Sequence, residues 1–255
     1  MRAYSADALV LRSYRYGEAD RIVVFLTEDR GKKRGVAKNA TVSRRRFGAA
    51  LEPLTHGKAT YVERERRELV RLDRVEPLDS PLRAVAGRAA GEAAHVLGHA
   101  AYFAELLDEW APDDSPNSRL FRLGVAAGEA LCGGRSIDAL ARYFEYWLLR
   151  LEGVYPAIDV CPRCGRAAFA EGAALVLADR SFVCLACAHG GPRLSGEAIG
   201  FLKRAAGRTP AAVAQAGGPP DVLRELEHVH QRLIAMHLEK ELRSARVVKE
   251  LRPSS

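Results

Sequence analysis

The chain has 255 residues, enough for two modest domains, and its 48% hydrophobic and 28% charged content is ordinary for a folded soluble protein. No apolar run approaches the roughly 18 residues that a membrane helix needs, and the N-terminal burst Ala8-Leu-Val-Leu11 is too short for a signal peptide. The net charge of +7 is unevenly spread: residues 1–80 hold 18 Lys/Arg against 12 Asp/Glu, and the rest hold 21 against 20. That asymmetry predicts a polyanion-binding module joined to a near-neutral body.

Residues 1–80 read as β-rich. Ala6 to Tyr14, Arg21 to Glu28, Gly35 to Lys38, Leu51 to Val62 and Glu68 to Val75 are short, rich in Val, Leu, Thr and Tyr, and punctuated by glycines. Asp29-Arg-Gly31 reads as a tight hairpin turn. Five short strands in about 80 residues predict a small closed barrel of OB type. An SH3-like barrel gives much the same periodicity. Within this module Arg30 to Arg46 carries eight basic residues and no acidic one. Such a run repels itself unless a polyanion supplies counter-charge, and phosphate neutralisation with counterion release is the physical reward. Lys32, Lys33, Arg34, Lys38, Arg44, Arg45 and Arg46 are therefore the candidate nucleic-acid-binding residues, with a solvated basic face or a site for an acidic protein partner as the other readings of the run. Tyr4, Tyr14, Tyr16, Phe25, Phe47 and Tyr61 are available for stacking on bases, although a barrel core claims aromatic residues too.

Ser80-Pro81 marks a change of regime, since Ser suits an N-cap and Pro the first helical position. Helices are expected up to Trp110 (with Gly87, Gly91 and Gly98 as weak points), from Ser118 to Leu131, from Ser136 to Leu151, from Ser195 to Ala206, and from Asp221 to about Arg246. Residues 81–255 thus form a helical domain.

An insertion at about 157–192 interrupts that domain. It contains Cys161-Pro-Arg-Cys164-Gly and, nineteen residues later, Cys184-Leu-Ala-Cys187. Two such knuckles flanking a short hairpin form a zinc-ribbon pattern, in which Cys161, Cys164, Cys184 and Cys187 close a tetrahedron around one structural Zn²⁺. Four thiolates leave no position for a reactive water, which argues against a catalytic metal. Five cysteines, four of them in knuckles, fit a reducing compartment, so the expected location is cytoplasmic. His237-Leu-Glu239 follows the cysteines and so has the wrong order for a zinc deaminase. No phosphate loop, Ser-His-Asp arrangement or paired carboxylates indicate catalysis, and the chain is read as a non-enzyme with no small-molecule substrate.

Several motifs resemble a known family. Ala8-Leu-Val-Leu-Arg12, Tyr16-Gly-Glu18, Gly35-Val-Ala-Lys38, Arg44-Arg-Arg-Phe47 through Leu51-Glu-Pro53, and Gly153-Val-Tyr-Pro156 to Gly165 look like the motifs of the bacterial recombination mediator RecO. The resemblance implies an α+β multidomain protein, an N-terminal OB-fold barrel followed by a helical domain carrying the four-cysteine zinc ribbon. It implies binding of single- and double-stranded DNA, annealing of complementary strands, and association with the nucleoid. It also implies remodelling of strands coated by single-strand-binding protein, whose acidic tail is one partner, together with RecR, so that RecA can load. A zinc-ribbon module for RNA or the transcription machinery is the alternative reading.

Overall fold

The computed structural model describes residues 1–43, 45–65, 68–133, 135–167, 169–240 and 242–251. The chain forms two compact units. The first is Met1–Gly133 together with the segment from Leu242 onward, and the second is Gly134–Glu241.

The first unit is built on five strands, β1 (Arg2–Tyr16), β2 (Asp20–Thr27), β3 (Gly31–Ala37), β4 (His56–Glu63) and β5 (Val70–Asp79). They close into a barrel in the order β1-β2-β3-β5-β4, with β1 also paired to β4. Every ladder is antiparallel except β3–β5, which is parallel over Gly35–Ala37 and Val70–Leu72. This is the OB arrangement, which settles the choice that strand periodicity left open. Phe25, Tyr61, Leu72, Val10, Val23 and Ala59 lie in the barrel core. At the β2–β3 turn, Gly31 adopts φ +69°, and a Cβ there would lie 2.2 Å from the carbonyl oxygen of Ser115. Only glycine meets both demands. The Thr27 hydroxyl completes the turn by accepting from the Arg30 amide and donating to the Gly31 carbonyl.

Pro81 starts α1 (Pro81–Ala84), which stops after one turn, and Gly87 at φ +82° separates it from α2 (Ala90–Trp110). Then comes α3 (Ser118–Gly133), whose Gly124 lets Leu9 of β1 and Leu107 of α2 approach closely. The bulge between Val10 and Arg12 in β1 turns Arg12 outward, where it pairs with Asp108 of α2 at 2.9 Å.

The second unit contains α4 (Ile137–Leu151), α5 (Gly196–Ala206), α6 (Pro210–Ala216) and α7 (Pro220–Leu238) around a three-stranded sheet of β6 (Gly172–Val176), β7 (Ser181–Cys184) and β8 (Arg193–Ser195), in the order β7-β6-β8. Ser136, Ser195 and Thr209 cap α4, α5 and α6 by accepting backbone N–H bonds. The closing helix departs from expectation. It ends at Leu238 because Glu239 turns left-handed at φ +54°, and a separate helix, α8 (Arg243–Glu250), follows. There the chain rejoins the first unit, where Glu105 of α2 accepts from the amides of Arg243 and Ser244 at 3.3 and 2.8 Å.

Candidate nucleic-acid interface and metal centre

Packing on the barrel divides the basic run into different fates: Lys32 and Arg34 share one face of β3, and only Lys32 is covered. Lys32 was expected on the DNA surface, but it is buried, with 7% of its surface exposed. The loop after α2 bridges onto β3 there: the Lys32 amide donates to the Pro112 carbonyl, and the Asp114 amide to the Lys32 carbonyl. The Lys32 ammonium donates to the Asp108 carbonyl at 2.5 Å and lies 3.5 Å from the carboxylates of Asp108 and Asp113. Its charge is spent inside the first unit.

Lys33 is also largely enclosed, 2.7 Å from both Glu63 and Asp114, and these carboxylates hold its ammonium above its ordinary range despite the opposing cost of burial. Arg34 and Lys38 leave more than half of their side chains in solvent. Arg34 approaches Asp113 only at 4.0 Å, and Lys38 pairs with Asp20 at 2.5 Å. This contact raises the Lys38 pKa and lowers that of Asp20, each through the hydrogen bond between them. Arg44 lies outside the described residues. Arg45 is exposed, whereas Arg46 is half-buried and shapes its own loop by donating to the Ser43 hydroxyl at 2.9 Å and the Lys38 carbonyl at 2.6 Å. Among the described DNA-binding candidates, Arg34, Lys38 and Arg45 are thus the ones presented to solvent.

The aromatic candidates divide in the same way. Phe25, Phe47 and Tyr61 are core residues, and desolvation pushes the Tyr61 phenol up to about 12. Tyr14 and Tyr16, two apart on β1, remain 45% and 50% exposed. Arg64 and Arg71, which lie outside the basic run, stand near the same end of the barrel and share a cleft with Tyr16 and Lys38.

In the second unit the four ligand atoms of Cys161, Cys164, Cys184 and Cys187 all lie within 4.8 Å of one another. Gly165 at φ +68° lets its amide donate back to the Cys161 carbonyl, while the Cys161 amide donates to that of Arg166, closing the first knuckle. The second knuckle follows β7 and turns through a 3-10 segment, Leu185–Cys187. The Sγ atoms of Cys164 and Cys184 are 3.7 Å apart. A tetrahedron with metal–sulfur bonds of about 2.3 Å has sulfur–sulfur edges of about 3.8 Å, so the cluster fits a metal ion of that kind. The Cys184 amide points at the Cys161 sulfur at 3.4 Å, and backbone donors, Cys184 first, hold that thiol down to about 6. Cys187, beside Cys184 and Cys164, is pushed up to about 12. Four crowded thiols resist joint ionisation until a cation balances them.

Two comparisons bear on identity. Residues 1–81 match the family profile Recombination protein O N terminal, and residues 92–246 match Recombination protein O C terminal. The chain belongs to the RecO family. It is 37% identical over 252 residues to the DNA repair protein RecO of Anaeromyxobacter sp. (strain K), covering 96% of this chain and 95% of that one. The RecO protein of Geobacter metallireducens is 33% identical over 255 residues, covering 99% of this chain and 100% of that one. That of Koribacter versatilis is 44% identical over 160 residues, 63% of each chain. Membership of the family supports a role in recombinational DNA repair. No helix of the described residues is long and apolar enough to cross a membrane.

Proposed function

We propose that the protein is a non-enzymatic recombination mediator that binds single- and double-stranded DNA, anneals complementary strands and helps clear single-strand-binding protein so that RecA can load, with RecR as a partner. The observation that carries this reading is a solvent-facing group of cations, Arg34, Lys38 and Arg45, on an OB barrel of the RecO family. Annealing needs two phosphate backbones neutralised together while base edges stay free to pair. Exposed cations without a shaped reader of base edges do that regardless of sequence. Lys32 and Lys33 support this surface from behind by anchoring β3 to the loop after α2.

Cys161, Cys164, Cys184 and Cys187 would hold one structural Zn²⁺ per chain, which when bound supplies a cross-link between the two knuckles. The ribbon then braces the helical unit, and Phe182 of β7 packs 5.9 Å from the ring of Tyr155.

Fluorescence-monitored annealing of complementary strands tests the function, with and without bound single-strand-binding protein, at about 50 and 200 mM salt. Salt-sensitive annealing that needs no ATP and persists on coated strands is expected. Binding without annealing would favour the RNA- or transcription-associated module, and failure to bind DNA would overturn the reading.

A further inference from the structure

The barrel surface carries a cleft beside the exposed cations. Where the ends of β1 and β3 meet the start of β5, a cleft of about 640 Å³ opens, within the range of small-ligand sites. Val36 and Val70 give it an apolar lining and Tyr16 an aromatic one. Strand register explains the assembly. Tyr14 faces Ile22, Ile22 faces Val36, and Val36 faces Arg71, a single row across four strands. In the next row Tyr16 faces Asp20, whose carboxylate holds Lys38.

Among the described residues, Lys38, Arg64 and Arg71 rim the cleft, together with the carboxylate of Glu68. Lys38 pairs with Asp20, and Arg71 with Asp73 at 2.8 Å. Surface ion pairs of this kind contribute little, so a phosphate can compete for the same cations. An apolar and aromatic recess bordered by positive charge complements one class of ligand, a flat π-face attached to an anion.

The geometry points to a base-stacking subsite at Tyr16, with Tyr14 beside it, that takes unpaired nucleotides of single-stranded DNA and rejects duplex. Rejection follows because a duplex keeps its base faces stacked internally and offers only its backbone, whereas a single strand can lay a base on the tyrosine ring and a phosphate on the rim. This inference rests on the DNA-binding reading above and adds to it a basis for choosing single strands.

The test is the affinity of the full chain for a short fluorescent oligothymidylate and for a blunt duplex of equal length, with Tyr16→Ala and Tyr16→Phe. Tyr16 is half-exposed, so neither change empties the core. Tyr16→Ala is expected to weaken single-strand binding about 5- to 150-fold, the scale of one lost base stack, with duplex binding and the salt slope unchanged. Tyr16→Phe, which keeps the ring, is expected to behave as the parent. An oligonucleotide carrying 5-iododeoxyuridine should photo-cross-link to Tyr16 or Tyr14. Equal losses for single strand and duplex, no loss at all, or cross-links confined to another face would each overturn the subsite while leaving DNA binding intact. A parent chain that binds neither probe would instead overturn the DNA-binding reading and the subsite with it.

Discussion

Lys32 and Arg34 are two residues apart in one basic run and do opposite things. Lys32 sits against Asp108 and Asp113 beneath the loop that follows α2, while Arg34 faces water. Replacing Lys32 with Ala would leave Asp108 with Arg12 as its remaining cation. We expect a loss of about 3 kcal/mol in urea unfolding, the low end for breaking a buried pair, because Arg12 still compensates. DNA affinity of the folded fraction should stay unchanged. A weaker salt slope in this variant would return Lys32 to the DNA surface.

His230 shows a second kind of residue-level control. Its Nδ1 lies 2.9 Å from Glu145, its Nε2 lies 3.3 Å from the Tyr155 hydroxyl, and Arg142 bridges Glu145 and Glu227 at 2.7 and 3.4 Å. Burial is the largest influence and lowers its pKa below the ordinary 6.5, with Glu145 opposing. The unfolded chain therefore binds the proton more readily than the folded one. Stability from this group is complete above pH 6.5 and is lost as pH falls below it toward the folded pKa. Thermal unfolding followed from pH 7 downward should show a falling midpoint, and His230→Gln should flatten that fall. An unchanged slope would show that other groups carry it.

At the scale of elements, the ribbon is a small sheet that cannot bury much surface by itself, and its knuckles hold its ends together. Cys164→Ser should cost about 4 kcal/mol or more, in the class of lost metal sites. The thermal midpoint should drop, and a colorimetric chelator should find less zinc per chain. Because this change acts through the fold, residual folded protein should keep its DNA affinity; selective loss of binding at normal stability would instead put the ribbon on the DNA. Helix ends also belong to this scale. The expected closing helix ran to Arg246 because its apolar stripe tolerates extension, yet Glu239 turns left-handed and α8 begins anew on Glu105 of α2. No residue near Glu239 is a breaker such as glycine or proline, so this stop was invisible locally.

Across the whole molecule, charge asymmetry is the property most directly tied to function. Replacing Arg34, Lys38 and Arg45 together with Gln should weaken binding of all DNA sequences about equally and reduce the salt slope by about 3, one for each lost phosphate contact. Titrations at several salt concentrations measure this. An unchanged slope would remove these residues from the interface.

The local sequence determined what depends on near neighbours. Five strands with glycine-marked turns, the four cysteines in two knuckles, the helix starts at Ser136 and Ser195, and the excess basic charge of residues 1–80 all follow from spacing and residue type, whereas Ser80, read as a cap, makes no side-chain cap bond. The tertiary structure decided which barrel the strands build, because the parallel pairing of β3 with β5 joins segments distant in the chain. It also decided which basic and aromatic residues meet solvent. Alternation along a strand assigns a side chain to a face, but only the elements packed there decide whether that face is covered. Asp108 on α2 thus buries Lys32, while the row through Tyr14, Val36 and Arg71 is left at the surface.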